Sequence, residues 1–427
     1  MKTIKAIRGM HDITPEKSGH WSRLEAVVAD VFNSYAYRQI RLPLVESSHL
    51  FHRSIGEVTD IVEKEMYSFP DRNGESMSLR PEGTAGCVRA CIEHSLLQVP
   101  QKLWYSGPMF RYERPQKGRQ RQFNQIGAEV FGFSEVEVEA EMLLLNQQFW
   151  RRLGLQDSIS LQLNNIGSSE ARTAYKAALV EYLSTHIGDL DSDSQRRLES
   201  NPLRILDSKN EQTQSLLDAA PSLEDFLSDD SLWRAERLRQ LLQAEGVAVQ
   251  HNPRLVRGLD YYNDTVFEWV SDDLGAQGTV CGGGRYDGLV EQLGGRATPA
   301  VGFAMGVERL YLLLEAQQFS SLPGSDAPDA YLIVAGSALQ SAAFSLAERL
   351  RLALPNFAIM QQLVDGSLKS QFKKADKSGA RFALILGEDE MASGRVTVKD
   401  LQTGEQSQYA GEGSLDELLA ALQKDFD

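Results

Sequence analysis

The sequence predicts an α+β protein: a largely antiparallel sheet flanked by helices, a helical insertion, and a small C-terminal α/β domain. Three observations carry this. Segments 76–80, 102–112 and 122–133 are rich in aromatic and β-branched residues, are broken by Gly or Pro, and lack regular crossover helices between them, which favours antiparallel pairing. Residues 168–247 turn polar, acidic and helix-prone. From 331 onward strand and helix patterns alternate, as parallel pairing requires. At 427 residues the chain exceeds what one core ordinarily holds, so two or three domains are expected.

Trp21, Leu24, Val28, Val31 and Tyr35 recur at three- and four-residue steps and predict an amphipathic helix over roughly 16–35. Gln39 to Val45 reads as a strand at an edge or a bulge, because Pro43 has no ladder donor. Gly83 to Leu97 and Glu135 to Leu153 read as helices. Beyond the insertion the sheet pattern resumes near 253 with RLVRGLDYYNDTVFEWV and VCGGGRYDGLV, and a helix follows from about 306. QQFSSLPGSDAPD (317–329) has linker composition. YLIVAG (331–336), a helix to about 354, FAIMQQL, a helix over 367–379 and RFALILG (381–387) then succeed one another. Ser414 with Glu417 makes a capping box for a closing helix. The expected domains are 1–325, interrupted at about 168–247, and 326–427.

Composition is that of a globular protein, 42% apolar and 24% charged, with no apolar run near the ~20 residues of a membrane span. The first residues lack the apolar segment of a secretory signal. Cys87, Cys91 and Cys281 form no CxxC pair, which fits a reduced, cytoplasmic protein without a membrane partner. The net charge of −15 argues against nucleic acid only on average. Residues 189–230 hold eleven acids and four bases, whereas 111–121 and 369–381 each hold five bases against one acid.

Five segments could carry chemistry. FRYERPQKGRQRQF (110–123) reads as a basic hairpin suited to polyanions, with Arg111 among aromatics on its strand; guanidinium forks match phosphate oxygens in pairs. GFAMGVERL (302–310) leads small residues into a helix carrying Arg309, where a helix N-terminus favours anions. VCGGGRYD (280–287) has three glycines but does not satisfy GxGxxG. In LVRGLDYYNDTVFE (255–268), Arg257 either faces a ligand or pairs with Asp260. LRPEGT (79–84) stands with Gln125 and Glu129 downstream. Glu129 lies in an apolar strand and needs an internal Arg or a cationic ligand. The seven histidines show no metal spacing, and neither GxSxG nor GxxxxGK[ST] occurs.

Arg111 before a basic loop resembles motif 2 of class II aminoacyl-tRNA synthetases, and GFAMGVERL resembles motif 3. LVRGLDYY and VCGGGRYD are similar to the two signature peptides of histidyl-tRNA synthetases, and IRGMHD (7–12), LRPEGT and NPLRILDSK (201–209) also match that family. The resemblance runs from residue 4 to about 420. It implies a class II catalytic domain built on a six-stranded antiparallel sheet, a helical insertion, a C-terminal anticodon-binding domain, and a homodimer built by motif 1 around 39–55. It implies ATP-dependent activation of L-histidine, release of pyrophosphate, and transfer to the 3′-terminal adenosine of histidine tRNA, with Mg2+ and no zinc. By the same resemblance Arg111 and Arg257 take the α-phosphate and Arg309 the γ-phosphate. Glu129 and Tyr262 read the imidazole, Glu82, Gly83, Thr84 and Gln125 hold the amino and carboxylate groups, and Tyr261 and Tyr286 line the pocket. Gln116 and Arg121 resemble loop positions that contact the tRNA acceptor end. Gly282 stands where the family more often has Ala. Lys369, Lys373 and Lys377 recur at four-residue steps opposite Leu368, Phe372 and Ala375, and either face solvent or contact tRNA. A non-catalytic relative that regulates the first enzyme of histidine biosynthesis lacks the C-terminal domain and much of the Arg/Tyr signature; this chain has both.

Overall fold

The computed structural model describes residues 3–423 except 57, 58, 60, 260, 321, 323–325, 365 and 412–414. Two compact units emerge, Met1–Pro323 and Gly324–Asp427. The first contains strands β1 (Arg38–Gln39), β2 (Val45–Ser47), β3 (Tyr67–Pro70), β4 (Ser76–Leu79), β5 (Gln101–Phe110), β6 (Gln122–Phe131), β7 (Ser160–Asn165), β8 (Val249–His251), β9 (Asn263–Val270), β10 (Thr279–Arg285) and β11 (Ala300–Gly306). Its helices are α1 (Pro15–Ser34), α2 (Ser48–Ile55), α3 (Thr84–Glu93), α4 (Glu137–Arg152), α5 (Ser169–Ser184), α6 (Ser192–Ser200), α7 (Glu211–Leu217), α8 (Asp229–Ala244), α9 (Leu289–Gln292) and α10 (Val307–Ala316).

Eight strands form the main sheet in the order β1-β5-β6-β11-β10-β9-β7-β8. The six inner strands pair antiparallel, and one short parallel strand is added at each edge, β1 on β5 and β8 on β7. The sheet is therefore mixed and larger than the six strands expected. Alternation along β6 divides its residues between two cores. Ile126, Ala128 and Val130 join α1, α4, α8 and α10, while Phe131 on the other face joins Tyr105, α3 and the insertion. Helix α1 has Pro15 at its start, where a missing N–H costs nothing, and buries Leu24, Val28, Val31 and Phe32, with Phe32 stacked on Trp104 at 4.8 Å.

The single strand expected over 39–45 is two. β1 ends at Gln39, and β2 starts at Val45 in a separate sheet of order β2-β4-β3. Pro43 lies in the break, where Arg80 Nη1 donates to the carbonyls of Leu42 (3.1 Å) and Pro43 (3.4 Å). That buried guanidinium satisfies carbonyls that a proline-interrupted strand leaves without ladder partners.

The acidic stretch is helical, as expected, but its helices serve different faces. Leu238 and Leu242 of α8 complete the core behind the sheet, whereas Tyr175, Leu179, Leu183, Leu198 and Leu217 from α5–α7 pack on the side of Tyr261, Tyr262 and Tyr286. A buried ion pair ties the motif VCGGGRYD into the frame: Arg285 donates to Glu139 of α4 at 2.7 and 2.9 Å, and Arg234 of α8 approaches Glu139 at 3.6 Å.

The second unit holds β12 (Ala330–Val334), β13 (Ile359–Gln361), β14 (Phe382–Leu386), β15 (Arg395–Asp400) and β16 (Gln406–Ala410), with α11 (Gln340–Ala353), α12 (Leu368–Ser378), α13 (Glu388–Ser393) and α14 (Asp416–Gln423). The sheet order is β13-β12-β14-β15-β16. The first three strands pair parallel as expected, and a hairpin missed in the sequence adds β15 and β16 antiparallel. On α12 the buried residues are Gln371 and Ala375, with Phe372 half-buried. Leu368, expected in the apolar stripe, is exposed. Gln371 earns its interior place by bracketing the Val334 backbone, accepting from its N–H (2.9 Å) and donating to its carbonyl (2.7 Å). Ser414 of the expected capping box lies outside the described residues. Among the described residues no helix is long and apolar enough to cross a membrane.

Candidate active site

One cavity gathers residues from six parts of the first unit. The start of α3 contributes Glu82 and Thr84, the β5–β6 loop Arg111, Glu113, Arg119 and Gln120, and β6 Phe123 and Gln125. The segment before β9 contributes Arg257, Tyr261 and Tyr262, and β10 contributes Thr279 and Gly282. The β11–α10 junction supplies Gly306, Glu308 and Arg309. Residues 82 to 309 thus converge because the antiparallel sheet returns each strand to the same end.

All three predicted arginines line this cavity, each held from behind. Arg111 Nε donates to the Pro81 carbonyl (2.8 Å), and its guanidinium lies 5.4 Å from the Phe123 ring centroid. Arg257 pairs with Glu268 of β9; Asp260, the alternative partner read from the sequence, lies outside the described residues. Thr279 Oγ1 also donates to Glu268 (2.7 Å), and Arg309 Nη1 donates to the Thr279 carbonyl. One carboxylate therefore organises two cationic arms. Burial opposes the Arg257 charge, but Glu268 and the two neighbouring tyrosines outweigh it and hold its pKa above the usual arginine range. At Arg309 burial, aided by Arg119, depresses the pKa. An incoming anion would relieve that repulsion.

Glu129 lies one hydrogen bond behind the cavity wall, fully buried. Its carboxylate accepts from Thr84 Oγ1 (2.7 Å), Tyr105 Oη (2.9 Å) and Tyr286 Oη. The sequence called for an internal Arg or a cationic ligand; among the described residues three hydroxyls meet the carboxylate, satisfying lone pairs without neutralising charge. Burial consequently pushes the Glu129 pKa up to about 8 despite them. Small residues make this arrangement possible. A Cβ on Gly302 would stand 1.7 Å from Glu129 Oε2, and Cβ atoms on Gly83 and Gly127 would stand 2.1 and 2.4 Å from Tyr105. Gly83, Gly127 and Gly302 are thus explained by close approach.

Glu82 accepts from the N–H groups of Thr84 (2.6 Å) and Ala85 (3.0 Å), closing the first turn of α3, and burial raises its pKa. Gln125 Oε1 is buried without a hydrogen-bond partner among the described residues and stands on the cavity wall. An orphaned acceptor there suits a ligand donor such as an ammonium group. Tyr261, Tyr262 and Tyr286 form a ring cluster with centroid separations of 4.7 to 6.4 Å. Gly282 carries more weight than expected, because its Cβ would stand 2.7 Å from Arg257 Nη1, so Ala there must displace the guanidinium.

The two loop residues expected at the acceptor end lie outside the cavity lining. Gln116 pairs with Arg119 across the loop tip. Arg121 stacks 3.7 Å over Tyr112 and donates Nε to the Glu113 carbonyl (3.2 Å), while its backbone N–H donates to Gly9 (2.7 Å). The cavity takes Arg119 and Gln120 instead, with Arg119 Nε 2.9 Å from Glu113. The sequence reading missed these two, and also Glu113, Glu268, Thr279 and Glu308. Glu113 had a signal, being the one acid among five bases. Glu308 had one too, beside Arg309 at a helix start; it accepts from the Asn124 N–H (2.8 Å) and fixes α10 against β6. Lys369, Lys373 and Lys377 are exposed on α12 of the second unit. No cluster of three or more potential metal ligands of the His, Cys, Asp or Glu type occurs among the described residues.

Comparison with known proteins supplies the context for this geometry. Residues 9–310 match the family model described as histidyl-tRNA synthetase, and residues 329–425 match that of an anticodon binding domain. The apo histidyl-tRNA synthetase of S. aureus is 34% identical, covers 99% of this chain and 100% of its own, and superposes with a TM-score of 0.80. The histidyl-tRNA synthetase of Nostoc sp. PCC 7120, at 20% identity over 100% of both chains, has a TM-score of 0.72 and shares the fold. So does a protein of Bacillus halodurans C titled ATP phosphoribosyltransferase regulatory subunit/histidyl-tRNA synthetase, at 20% identity over 91% of this chain and 99% of its own, with a TM-score of 0.64.

Proposed function

Because this chain belongs to the histidyl-tRNA synthetase family, we propose that the cavity of Arg111, Arg257 and Arg309 is where L-histidine is activated by ATP and then passed to the 3′-terminal adenosine of histidine tRNA. The carrying observation is three guanidinium groups on one cavity whose other wall holds Glu82, Thr84, Gln125, Tyr261 and Tyr262. The histidine carboxylate attacks the α-phosphorus of ATP, its bond to that phosphorus forms as the bond to pyrophosphate breaks, and negative charge grows on the phosphoryl oxygens. Arg111 and Arg257, charged at any working pH, stabilise that growing charge; removing one such group typically costs ~2.7–4 kcal/mol. Arg309 holds the γ-phosphate end and so keeps the leaving group in line.

Recognition of the amino acid rests on the opposite wall. Gln125 Oε1 accepts from the substrate ammonium, Glu82 supplies a counter-charge, and Tyr262 with the Glu129–Thr84–Tyr286 network presents hydrogen-bonding groups to the imidazole nitrogens. Mg2+ fits the donor set: Glu113 and Glu308 offer hard oxygen ligands, and magnesium ordinarily uses one or two carboxylates with substrate phosphates. When bound it would neutralise phosphate charge; this reading needs no zinc. Gln116 and Arg121 on the loop, and Lys369, Lys373 and Lys377 on α12, would contact tRNA. A homodimer built around 39–55 is supported by exposed Leu44, Val45 and Phe69 on and beside the small sheet. The enzyme would act in the cytoplasm. ATP–pyrophosphate exchange screened against the twenty amino acids tests the assignment: histidine is expected as the best substrate, and any other best substrate overturns it.

A further inference from the structure

Glu268 lies behind the cavity lining, and two features of the β9–β10 ladder aim groups at it. Gly282 is its direct partner across the ladder, so the two positions share one face of the sheet. A Cβ on Gly282 would meet Arg257 Nη1, Nη2 and Cζ at 2.7 to 2.9 Å; the missing side chain is the space in which the guanidinium reaches Glu268. The register also shifts between Thr279 and Cys281, which sets Thr279 rather than Val280 opposite Val270. Val270 is two residues from Glu268 and so on its face, and the bulge thereby delivers a hydroxyl where an unbroken strand would deliver a valine. Thr279 Oγ1 donates to Glu268 (2.7 Å), and the Thr279 carbonyl accepts from Arg309 Nη1. Arg257 Nε is buried with no hydrogen-bond partner among the described residues, so the fork fixed by Glu268 still has a donor to give.

We propose that Glu268 is a positioning residue for adenylate formation. It sets the angle of Arg257 directly and that of Arg309 through Thr279, so that the two cations meet the triphosphate as one preorganised pair. This rests on the reading that those arginines take ATP phosphates. A carboxylate so placed also weakens the attraction of Arg257 for ground-state ATP, so its removal separates alignment from charge. Glu268→Gln keeps the shape, removes the charge, and offers one acceptor oxygen in place of two. In single-turnover kinetics it is expected to slow adenylate formation about 30-fold, while the ATP KM in pyrophosphate exchange rises no more than about twofold and histidine affinity holds within about twofold. In the Arg257→Ala background the same substitution should cost about threefold or less, because Glu268 acts through the arginine. Thr279→Val should slow the step about fivefold and Thr279→Ser less than about twofold, which reads the same link if Glu268→Gln does not fold. The proposal is overturned by an unchanged rate, by an ATP KM that rises in step with the loss, by a loss as large without Arg257 as with it, or by Thr279→Val and Thr279→Ser behaving alike. Histidine-dependent pyrophosphate exchange by the unsubstituted protein is the separate control: its absence fails the reading of the cavity as the activation site, however the variants compare.

Discussion

At Arg257 the sequence offered a ligand or Asp260 as the partner, and Asp260 lies outside the described residues. The arginine's place on an apolar segment was legible, but Glu268, eleven residues on, becomes its neighbour only when β9 folds back beside it. Arg257→Ala is expected to slow adenylate formation about 100- to 1,000-fold with little change in histidine affinity, measured by single-turnover kinetics beside equilibrium binding. Glu129 gives a different test. Its folded pKa of about 8 lies above the ordinary value of 4.5. Between those values the unfolded chain is ionised and the folded one is not, so stability falls as pH rises from about 4.5 to 8 and levels off beyond. Glu129→Gln should remove that part of the slope, seen in urea midpoints at pH 5.5 and 8, and should weaken discrimination for histidine over other amino acids. The three hydroxyls that surround this carboxylate were not legible, since Thr84, Tyr105 and Tyr286 belong to three distant segments.

Elements with strong periodicity were read correctly, and those set by tertiary partners were not. Helix α1 followed from its apolar spacing; the hairpin of β15 and β16 did not, because the apolar part of RVTVKD is only Val396 and Val398 and its partner QSQYA is short, polar and largely exposed. The strand over 39–45 failed where Pro43 let Arg80 take over the carbonyls. Within the insertion, order depends on Asp191. It caps α6 by accepting from the N–H groups of Asp193 and Ser194 (each 3.0 Å), and also from the hydroxyls of Ser194, Ser208 and Thr213. The Ser194 hydroxyl leads these partners in pulling its pKa down to about 2. A depressed folded pKa contributes stability above about 3.8 that is lost as pH falls towards 2. Asp191→Ala should cost about 0.5–2 kcal/mol through the missing cap and more through the stranded hydroxyls, with faster amide exchange in α6 and α7 than in α4.

For the whole molecule, net charge concealed the relevant chemistry. The sum of −15 describes the solvated surface, while cations concentrate on the β5–β6 loop and on α12. Changing Lys369, Lys373 and Lys377 together to Ala should raise the tRNA KM and flatten its salt dependence without altering pyrophosphate exchange. An unchanged slope would make α12 a solvated face. Linker composition at 317–329 led to the expected division near 325, whereas the two-sided core of the first unit was not legible, because it depends on which face of β6 each neighbour covers.

The close approaches at Gly83, Gly127 and Gly302 also bear on how this gene can vary. Every single-base change of a glycine codon that yields another amino acid adds a Cβ, and at these positions that atom would stand 1.7 to 2.4 Å from a neighbour. Drift cannot test a smaller step. In a library covering all point mutants and selected for growth, these three codons should be depleted as thoroughly as those of Arg111, Arg257 and Arg309, while Gly74, with nothing within 4 Å, should accept replacements compatible with its positive φ.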